Sequence, residues 1–293
     1  MVSSMQISLV IPAFNEEDGI LETIAEAKAV LARLEGVSEW EIVIVNDGST
    51  DRTAETLVGQ ERVRVITHPH NAGYGRSLKS GITAARYDTI VITDADLTYP
   101  IESLPDLLEM YGKGFDMVVA ARTGEEYRGS LIKAPLRSVL KWLVEFTSGR
   151  EIPDINSGLR IFNKAACMSY FSHLCDTFSF TTSMTLSYMM TGRFVGYFRI
   201  PYRERKGKTK VKLFRDALRT LQYIIQASVY YNPLKIFTLL AGLALCGSVF
   251  GFMLSILFKV LIGYILGVSG IILAFMTFSA GLISVLLKQI MDK

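Results

Sequence analysis

Two long stretches without a charged residue, both near the C-terminus, constrain the fold of this chain most. The first runs from Ile236 to Phe258 and the second from Leu261 to Leu287. A helix of about 20 apolar residues, rising about 1.5 Å per residue, crosses the hydrocarbon core of a bilayer, which is about 30 Å thick. One charge at the middle of the bilayer costs roughly 3 kcal/mol. The two stretches therefore predict a hairpin of two transmembrane helices rather than the core of a soluble domain.

Basic residues gather immediately before the first stretch and after the second. Those before it are Arg203, Arg205, Lys206, Lys208, Lys210, Lys212, Arg215 and Arg219. Lys288 and Lys293 follow the second stretch. By the positive-inside rule, both ends of the hairpin are expected on the cytoplasmic side. The N-terminus has no basic segment and too short an apolar run for a signal peptide, so we expect the large N-terminal domain and both termini in the cytoplasm.

The small net charge of +3 is concentrated beside the predicted membrane segment. This placement favours anionic lipid headgroups or phosphates as partners, and it argues against nucleic acid.

The charge and hydropathy patterns divide the chain into three parts. We expect a large N-terminal domain at residues 1–210, a juxtamembrane amphipathic helix at 211–233 and the two-span hairpin at 234–293.

Short β-rich runs alternate with helical patterns over the first 200 residues or so. The runs "ISLVIP", "EIVIVND", "VRVIT", "TIVITD" and "DMVVAA" each predict a buried parallel strand. Strands that alternate with helices indicate an α/β sheet with right-handed crossovers. Ligands of such sheets bind beyond the carboxyl ends of the strands. The fold class expected for this part is therefore α/β and Rossmann-like.

Acidic residues follow several of these predicted strands. Asp47 follows the second strand, and Asp94 and Asp96 follow the fourth. Residues i and i+2 of an extended segment point to the same side, so Asp94 and Asp96 can converge on one cation. Mg²⁺ and Mn²⁺ take oxygen ligands, usually one or two carboxylates together with substrate phosphates. The alternative is a pair of solvated acids in a turn. The neighbouring acid-bearing strand ends favour a metal-diphosphate site.

Other polar residues have less specific interpretations. Asp47 is expected to accept hydrogen bonds from a base or a ribose, whereas Asp51 is as well explained by capping the next helix. Gly73 and Gly75 predict a turn that starts a helix, not a dinucleotide site. His68 and His70 are expected to be solvated or satisfied within the core.

Two segments predict amphipathic helices. In Ser130–Gly149, apolar residues share one helical face and Trp142 adds an aromatic of the kind favoured at membrane interfaces. Contact with the membrane and packing on the domain both remain open for this helix. The segment 211–233 leads directly into the first span, which favours an interfacial helix.

Six segments of the sequence together resemble family 2 glycosyltransferases of the GT-A fold. In chain order they are "VIPAFNEEDGI", "IVIVNDGSTDRT", "NAGYGRSLKSGI", "ITDADLTYP", "DINSGLRIF" and "RKGKTK". The resemblance runs from about residue 6 to residue 212. It is closest to the dolichol-phosphate mannose synthase and polyprenyl-phosphate glucosyltransferase branch, and the two-span tail is similar to that of bacterial bactoprenol glucosyltransferases.

The resemblance implies roles for individual residues on the donor side. Asp96 and Arg205 would be catalytic, with Arg205 in a mobile loop that closes over the donor diphosphate. Asp94 and Asp96 match the metal-binding DXD position and would hold Mg²⁺ or Mn²⁺, with Asp96 the more direct ligand. The nucleotide would be held by Pro12, Phe14, Glu16, Asp47 and Asp94.

The resemblance also implies a site for the lipid phosphate and shows two departures from the family pattern. The lipid-phosphate residues would be Arg122, Arg137, Ser157 and Arg160. Leu159 stands where the family motif has Phe. Thr98-Tyr99-Pro100 stands where the family often has Gln-His-Pro, which puts a role of that Gln in donor binding in doubt.

The implied reaction is inverting transfer of a hexose from a nucleotide sugar to a polyprenyl phosphate at the cytosolic membrane face. UDP-glucose is the first choice of donor and GDP-mannose the second. The alternatives are a processive polysaccharide synthase, which usually carries a Q-x-x-R-W motif that is missing here, and a non-catalytic membrane-anchored protein that binds nucleotide sugars. The GxxxG spacings Gly247–Gly251 and Gly263–Gly267 fit a homo-oligomer and packing within the hairpin equally well.

Overall fold

The computed structural model describes residues 5–124, 134–203 and 213–291, without side-chain detail at 134–137, 213–217 and 291. Contacts divide the chain into two compact units, Met1–Tyr223 and Ile224–Lys293, called unit 1 and unit 2 below. The boundary falls within a helix, between the expected boundaries at residues 210 and 233. The three-part division therefore stays a prediction.

Unit 1 contains a seven-stranded sheet in the order β3-β2-β1-β4-β6-β5-β7. The strands are β1 (Met5–Ala13), β2 (Val37–Asn46), β3 (Val63–Thr67), β4 (Thr89–Ile92), β5 (Met117–Thr123), β6 (Arg160–Asn163) and β7 (Val195–Pro201). The pairs β1–β2, β2–β3, β1–β4 and β5–β7 are parallel. Strand β6 runs antiparallel to both of its neighbours, β4 and β5.

The sheet confirms the predicted α/β class and corrects two details. The sheet is mixed, because the short segment Arg160–Asn163 inserts between β4 and β5 in the reverse direction. This segment has only four residues and begins with an arginine, so it lacks the longer apolar run that predicts a central strand. Strand β3 is not buried as predicted, since it lies at the edge and its residues are half-buried or exposed.

The helices of the described chain alternate with the strands and then follow them. In chain order they are α1 (Ile20–Leu31), α2 (Thr53–Thr56), α3 (Tyr74–Ala84), α4 (Leu104–Gly112), α5 (Ala134–Ser148), α6 (Lys164–Met168), α7 (Phe180–Met190), α8 (Leu213–Tyr231), α9 (Pro233–Phe258) and α10 (Leu261–Met291). A 3₁₀ turn (Ile101–Ser103) precedes α4. Gly73, with a φ of 107°, caps α3, which confirms the predicted turn and helix start.

The core of unit 1 lies on both faces of the sheet. On one face Ile7, Leu9 and Ile11 of β1 pack in a cluster with buried residues of α1 and α4. On the other face Val10 packs in a cluster with residues of α3 and α7. This alternation along one strand is the period of two that a sheet covered on both faces requires. The carboxyl ends of β1, β2 and β4 therefore meet at one edge of a fixed scaffold.

Helix α5 buries one side and exposes another. Leu143 and Val144 are buried, whereas Val139 and Trp142 are exposed, and Trp142 stacks on Phe146 with a centroid distance of 5.4 Å. Packing on the domain is thus confirmed for one face. Contact of the exposed face with a membrane stays a prediction.

In unit 2, α9 and α10 are long and apolar enough to cross a membrane. Many of their large apolar side chains are exposed, such as Ile256 at 77% and Phe275 at 73%. In a core helix of a soluble protein, such side chains would be buried. A Cβ on Gly251 would lie 2.8 Å from the backbone nitrogen of Gly267, and one on Gly263 would lie 2.6 Å from that of Ser255. These glycines therefore allow the two helices of one chain to pack closely.

Candidate active site

The loops that follow β1 and β2 are hydrogen-bonded to each other. The backbone amide of Thr50 donates to Oδ1 of Asn15 at 2.7 Å, and that of Glu16 donates to the hydroxyl of Thr53 at 2.9 Å. Asn15 has a φ of 53°, a left-handed conformation that asparagine tolerates better than most residues. The sharp turn directs Phe14 and Glu16 to the same edge of the sheet as the end of β2.

Asp47 lies at the centre of a network that sequence reasoning did not predict. Its Oδ1 accepts from the backbone amide of Ala72 at 2.9 Å, and its Oδ2 accepts from that of Gly73 at 2.8 Å. Nδ1 of His68 lies 2.6 Å from Oδ1, and Nε2 of His68 lies 3.0 Å from the hydroxyl of Ser80. Because an ionised carboxylate only accepts, Nδ1 of His68 is the donor. These contacts fix the orientation of the Asp47 carboxylate.

Asp94 is held by a tyrosine from the turn that starts α3. The hydroxyl of Tyr74 donates to Oδ1 of Asp94 at 2.9 Å. Burial, and next the charge of Asp94, raise the pKa of Tyr74 well above its ordinary value, so this hydroxyl keeps its proton. A Cβ on Gly158 would lie 2.8 Å from both carboxylate oxygens of Asp94. Only a glycine therefore lets the backbone before β6 approach Asp94 so closely.

Asp96 is held by the residues that depart from the family pattern. Its Oδ1 accepts from the backbone amide of Thr98 at 3.2 Å and from the Thr98 hydroxyl at 2.6 Å. The backbone amide of Gly158 donates to the Tyr99 hydroxyl at 2.6 Å. Thr98 and Tyr99 therefore position Asp96 and the neighbouring chain. Thr98 stands at the position where the family pattern often has Gln.

These side chains line one pocket in unit 1 with a volume of about 590 Å³, within the usual range for small-molecule sites. Its lining residues are Pro12, Ala13, Phe14, Glu16, Asp47, Asn71, Ala72, Gly73, Tyr74, Ser77, Asp94, Ala95, Asp96, Thr177, Phe178 and Arg219. The structure thus brings together every predicted nucleotide-binding and metal-binding residue. Their roles stay predictions.

Several lining residues were not predicted as site residues, among them Tyr74, Phe178 and Arg219. Tyr74 and Phe178 contact each other with a centroid distance of 6.2 Å, although they are far apart in sequence. Tyr74 lies between Gly73 and Gly75, the two glycines that predict a turn, and this was its only local signal. Phe178 comes from the connection between α6 and α7, and Arg219 from α8. Neither position follows a predicted strand, so no pattern pointed to them.

The predicted lipid-phosphate residues occupy different environments. Nε and Nη2 of Arg122 donate to the two oxygens of Asp154 at 2.7 and 2.9 Å, and Asp154 is 1% exposed. Ser157 and Arg160 are fully buried. The Arg160 guanidinium donates to the carbonyls of Ser157 and Ile155 and to the hydroxyl of Thr185.

The contact of Ser157 and Arg160 with a lipid phosphate stays a prediction. Their hydrogen bonds hold the chain that enters β6, a structural role that an arginine beside a strand does not reveal in sequence. Arg122 already has a carboxylate partner. The side chain of Arg137 and the whole of Arg205 lie outside the described residues. The described chain before Arg205 ends at Arg203, whose backbone amide donates to the carbonyl of Thr98 at 3.0 Å.

The residues present fit a divalent cation that is shared with a phosphate ligand. Among the described residues, no group of three or more His, Cys, Asp or Glu side chains could hold a metal alone. Asp94 and Asp96 supply two carboxylates to one pocket. Cations such as Mg²⁺ are commonly bound by one or two carboxylates together with substrate phosphates.

Comparison with solved structures shows the fold. Glucosyl-3-phosphoglycerate synthase from Mycobacterium tuberculosis, in complex with Mn²⁺, UDP and phosphoglyceric acid, is 19% identical, with a TM-score of 0.58. The match covers 76% of this chain and 78% of that chain. The complex of the same enzyme with Mn²⁺, UDP and glucosyl-3-phosphoglycerate gives a TM-score of 0.60. The expected GT-A fold is confirmed.

Comparison with curated proteins gives two kinds of relative. The low-salt glycan biosynthesis hexosyltransferase Agl6 of Haloferax volcanii is 30% identical over 75% of this chain, which spans about half of that protein's length, 53%. The undecaprenyl-phosphate 4-deoxy-4-formamido-L-arabinose transferase of Salmonella dublin is 27% identical over 87% of this chain and 76% of its own length. Residues 8–173 match the family described as glycosyl transferase family 2. The chain therefore belongs to glycosyl transferase family 2.

Proposed function

We propose that this protein transfers a hexose from a nucleoside diphosphate sugar to a polyprenyl phosphate at the cytoplasmic face of a membrane. One observation carries the proposal: Asp47, Asp94 and Asp96 line a single pocket in a chain that also has two helices long and apolar enough to span a membrane. A relative that acts on undecaprenyl phosphate and a relative that transfers hexose support the acceptor and the type of sugar.

Asp47 is proposed to bind the base or ribose of the donor. Within the described residues its Oδ2 accepts one hydrogen bond, so this oxygen has capacity for a donor group on the ligand. Phe14 and Pro12 supply apolar surface on the same side of the pocket. UDP-glucose is the proposed first donor and GDP-mannose the second.

Asp94 and Asp96 are proposed to hold Mg²⁺ or Mn²⁺ against the donor diphosphate. The cation, when bound, neutralises negative charge on the leaving diphosphate. Tyr74 and Thr98 donate hydrogen bonds to the two carboxylates and so keep them in place before the donor arrives. Arg205, which lies outside the described residues, is proposed to add positive charge at the donor diphosphate, as the family resemblance implies.

The proposed reaction forms a bond between an acceptor phosphate oxygen and the anomeric carbon. The bond from that carbon to the donor diphosphate breaks, and the configuration inverts. The phosphate oxygen is already anionic near pH 7, so the step needs no general base. Catalysis then rests on the positioning of the two substrates and on the neutralisation of the leaving group.

The experiment that tests this proposal follows radiolabel from a panel of nucleotide sugars into polyprenyl phosphate. It uses the purified full chain in detergent with Mg²⁺ or Mn²⁺, and compares Asp96→Asn with Asp106→Asn, an exposed acid of α4. We expect label in the organic phase with one donor, loss of about 100-fold or more in Asp96→Asn, in line with removal of a group that stabilises the transition state, and no loss in Asp106→Asn.

Other outcomes would contradict parts of the proposal. Hydrolysis of a donor without labelling of lipid would overturn the acceptor. Binding of a nucleotide sugar without any turnover would favour a non-catalytic binding protein. Growth of a polymer from one labelled donor would favour a processive synthase.

A further inference from the structure

The pocket contains an arginine that no acid neutralises within the described chain. Arg219 of α8 lines the pocket together with Asp94, Asp96 and Phe178. Among the described residues, Arg219 forms no salt bridge, and its side chain is exposed. Arg122, which is predicted to contact the lipid phosphate, forms an ion pair with Asp154. Arg219 is therefore available to an anionic ligand.

Two side-chain contacts next to Arg219 fix the rotation of α8. The hydroxyls of Thr220 and Ser179 lie 2.6 Å apart, and both side chains are buried. One turn further along the helix, a hydrogen bond with Cys175, followed by burial, raises the pKa of Tyr223 to about 12. Residues four apart lie on the same side of a helix, so the Tyr223 contact and Arg219 share a face. These contacts direct Arg219 to the pocket.

The segment 174–179, called the strap below, makes both of those contacts and also contacts the first turns of α3. The backbone amide of Arg76 donates to the carbonyl of Asp176 at 2.8 Å. Nζ of Lys79 lies 2.6 Å from Oδ1 of Asp176. The strap itself supplies Thr177 and Phe178 to the pocket. One short segment thus connects the side of the pocket that holds Asp47 and Asp94 with the helix that carries Arg219.

We propose that Arg219 binds the phosphate of the lipid acceptor, an inference that rests on the proposed function. A divalent cation at Asp94 and Asp96 would balance the donor diphosphate, whereas the acceptor phosphate needs a cation from the chain. Arginine suits this task, because its guanidinium can donate two parallel hydrogen bonds to phosphate oxygens. Helix α8 ends at Tyr231, directly before the first apolar helix begins at Pro233. The cation is therefore carried by the element from which a membrane-embedded acceptor would approach.

The test compares Arg219→Gln and Arg219→Lys with Arg33→Gln, an exposed arginine after α1 that does not line the pocket. Initial rates are measured against polyprenyl phosphate at saturating donor, and binding of UDP with Mn²⁺ is measured by calorimetry. We expect Arg219→Gln to raise the KM for the acceptor about 10- to 100-fold, the range for loss of a charged hydrogen-bond partner. Arg219→Lys should be intermediate, Arg33→Gln unchanged, and UDP binding unaffected throughout.

Two results would overturn the inference. An unchanged acceptor KM in Arg219→Gln would show that the phosphate binds elsewhere. An equal loss of UDP binding would assign Arg219 to the donor diphosphate instead. Thermal unfolding of each variant identifies any change that comes from misfolding, and Arg219→Lys then serves as the second variant.

Direct binding separates this inference from the proposed function. Binding of polyprenyl phosphate and of the corresponding polyprenol, which lacks the phosphate, is compared in detergent micelles without any donor. If the wild type prefers the phosphate and Arg219→Gln does not, the inference holds even when no donor is turned over. If transfer proceeds but both proteins bind the two lipids alike, the inference fails and the proposed function stands.

Discussion

At the scale of single residues, the three pocket acids are oriented by hydrogen bonds from neighbouring side chains and backbone amides. Asp47, Asp94 and Asp96 directly follow strand-like runs, so the rule for parallel sheets places them at one edge. His68, by contrast, was expected to be solvated or satisfied in the core. The structure places it between Asp47 and Ser80. Only the spatial neighbours of a histidine distinguish these alternatives, and those neighbours come from other elements.

We predict that His68→Gln weakens donor binding more than it slows the reaction. The imidazole orients Asp47 but lies behind it, so its loss should raise the KM for the donor about 10-fold, the equivalent of one hydrogen bond to a charged group, with kcat nearly unchanged. Steady-state kinetics against the donor would measure this. His70→Gln, at an exposed position two residues away, is the matched control. Equal donor KM values in the two variants would contradict the prediction.

The buried pair of Arg122 and Asp154 makes a prediction about stability and pH. Burial raises the pKa of Asp154, but the hydrogen bond and charge of Arg122 outweigh it, so the pKa lies below the ordinary value of 3.8. Asp154→Asn leaves the Arg122 charge without its partner and should cost roughly 3–5 kcal/mol of unfolding free energy. Both tryptophans, Trp40 and Trp142, lie in unit 1, so denaturant unfolding followed by tryptophan fluorescence reports on that unit.

The sign of the pH dependence follows from the lowered pKa. A carboxylate with a lower pKa in the folded state stabilises fully above its unfolded pKa, and this contribution is lost as the pH falls through the folded pKa. The difference in stability between wild type and Asp154→Asn should therefore be constant above about pH 5 and shrink below the ordinary Asp pKa. A difference that grew on acidification would refute this explanation. Asp106→Asn, at an exposed acid, should show no difference.

At the scale of elements, the sequence predicted the first five strands and the two apolar helices, but not β6 or β7. The first five strands are short apolar runs, which is the pattern that predicts a strand. Strand β6 has only four residues and begins with a buried arginine, which donates to the nearby carbonyls of Ser157 and Ile155 and to the distant Thr185 hydroxyl. Its reversed pairing with β4 and β5 is a tertiary contact, which no local pattern encodes.

The glycines between α9 and α10 give a prediction at the same scale. Gly263→Leu should separate the two helices, because even a Cβ at this position would lie 2.6 Å from the Ser255 nitrogen. At Gly247 a Cβ meets nothing within 4 Å, so Gly247→Leu is the matched control. Thermal stability of the purified proteins in detergent would be compared, and we expect a lower melting temperature only for Gly263→Leu. A lower value only for Gly247→Leu would point to contacts between chains instead.

At the scale of the whole molecule, the arrangement of charges predicts how the chain lies in the membrane. Both termini are expected in the cytoplasm, with the turn between α9 and α10 on the opposite side. A membrane-impermeant maleimide should therefore label Val260→Cys in intact cells, since Val260 lies in that turn and is 43% exposed. Gln289→Cys, near the end of α10, should be labelled only after permeabilisation.

The wild type, with its own three cysteines, gives the background for this labelling. Labelling of Gln289→Cys but not of Val260→Cys in intact cells would reverse the predicted topology. Labelling of both would contradict a hairpin that crosses the bilayer.

The fold class of the molecule and its two apolar helices were predictable from sequence, because charge and apolar length act over many residues at once.

The common direction of every strand except β6 places the pocket and several turns at opposite ends of the strands. Those turns include Gly36, Gly59 and Gly114, whose positive φ disfavours any other residue, so a label would be placed on an exposed neighbour such as Glu35. Each turn lies just before the amino end of a strand, whereas the pocket residues Asp47 and Asp94 follow carboxyl ends. A fluorophore or affinity handle at one of these turns would leave the binding edge unobstructed. The amino ends of the strands thus offer attachment points for a surface-immobilised biosensor that reports which nucleotide sugar is bound.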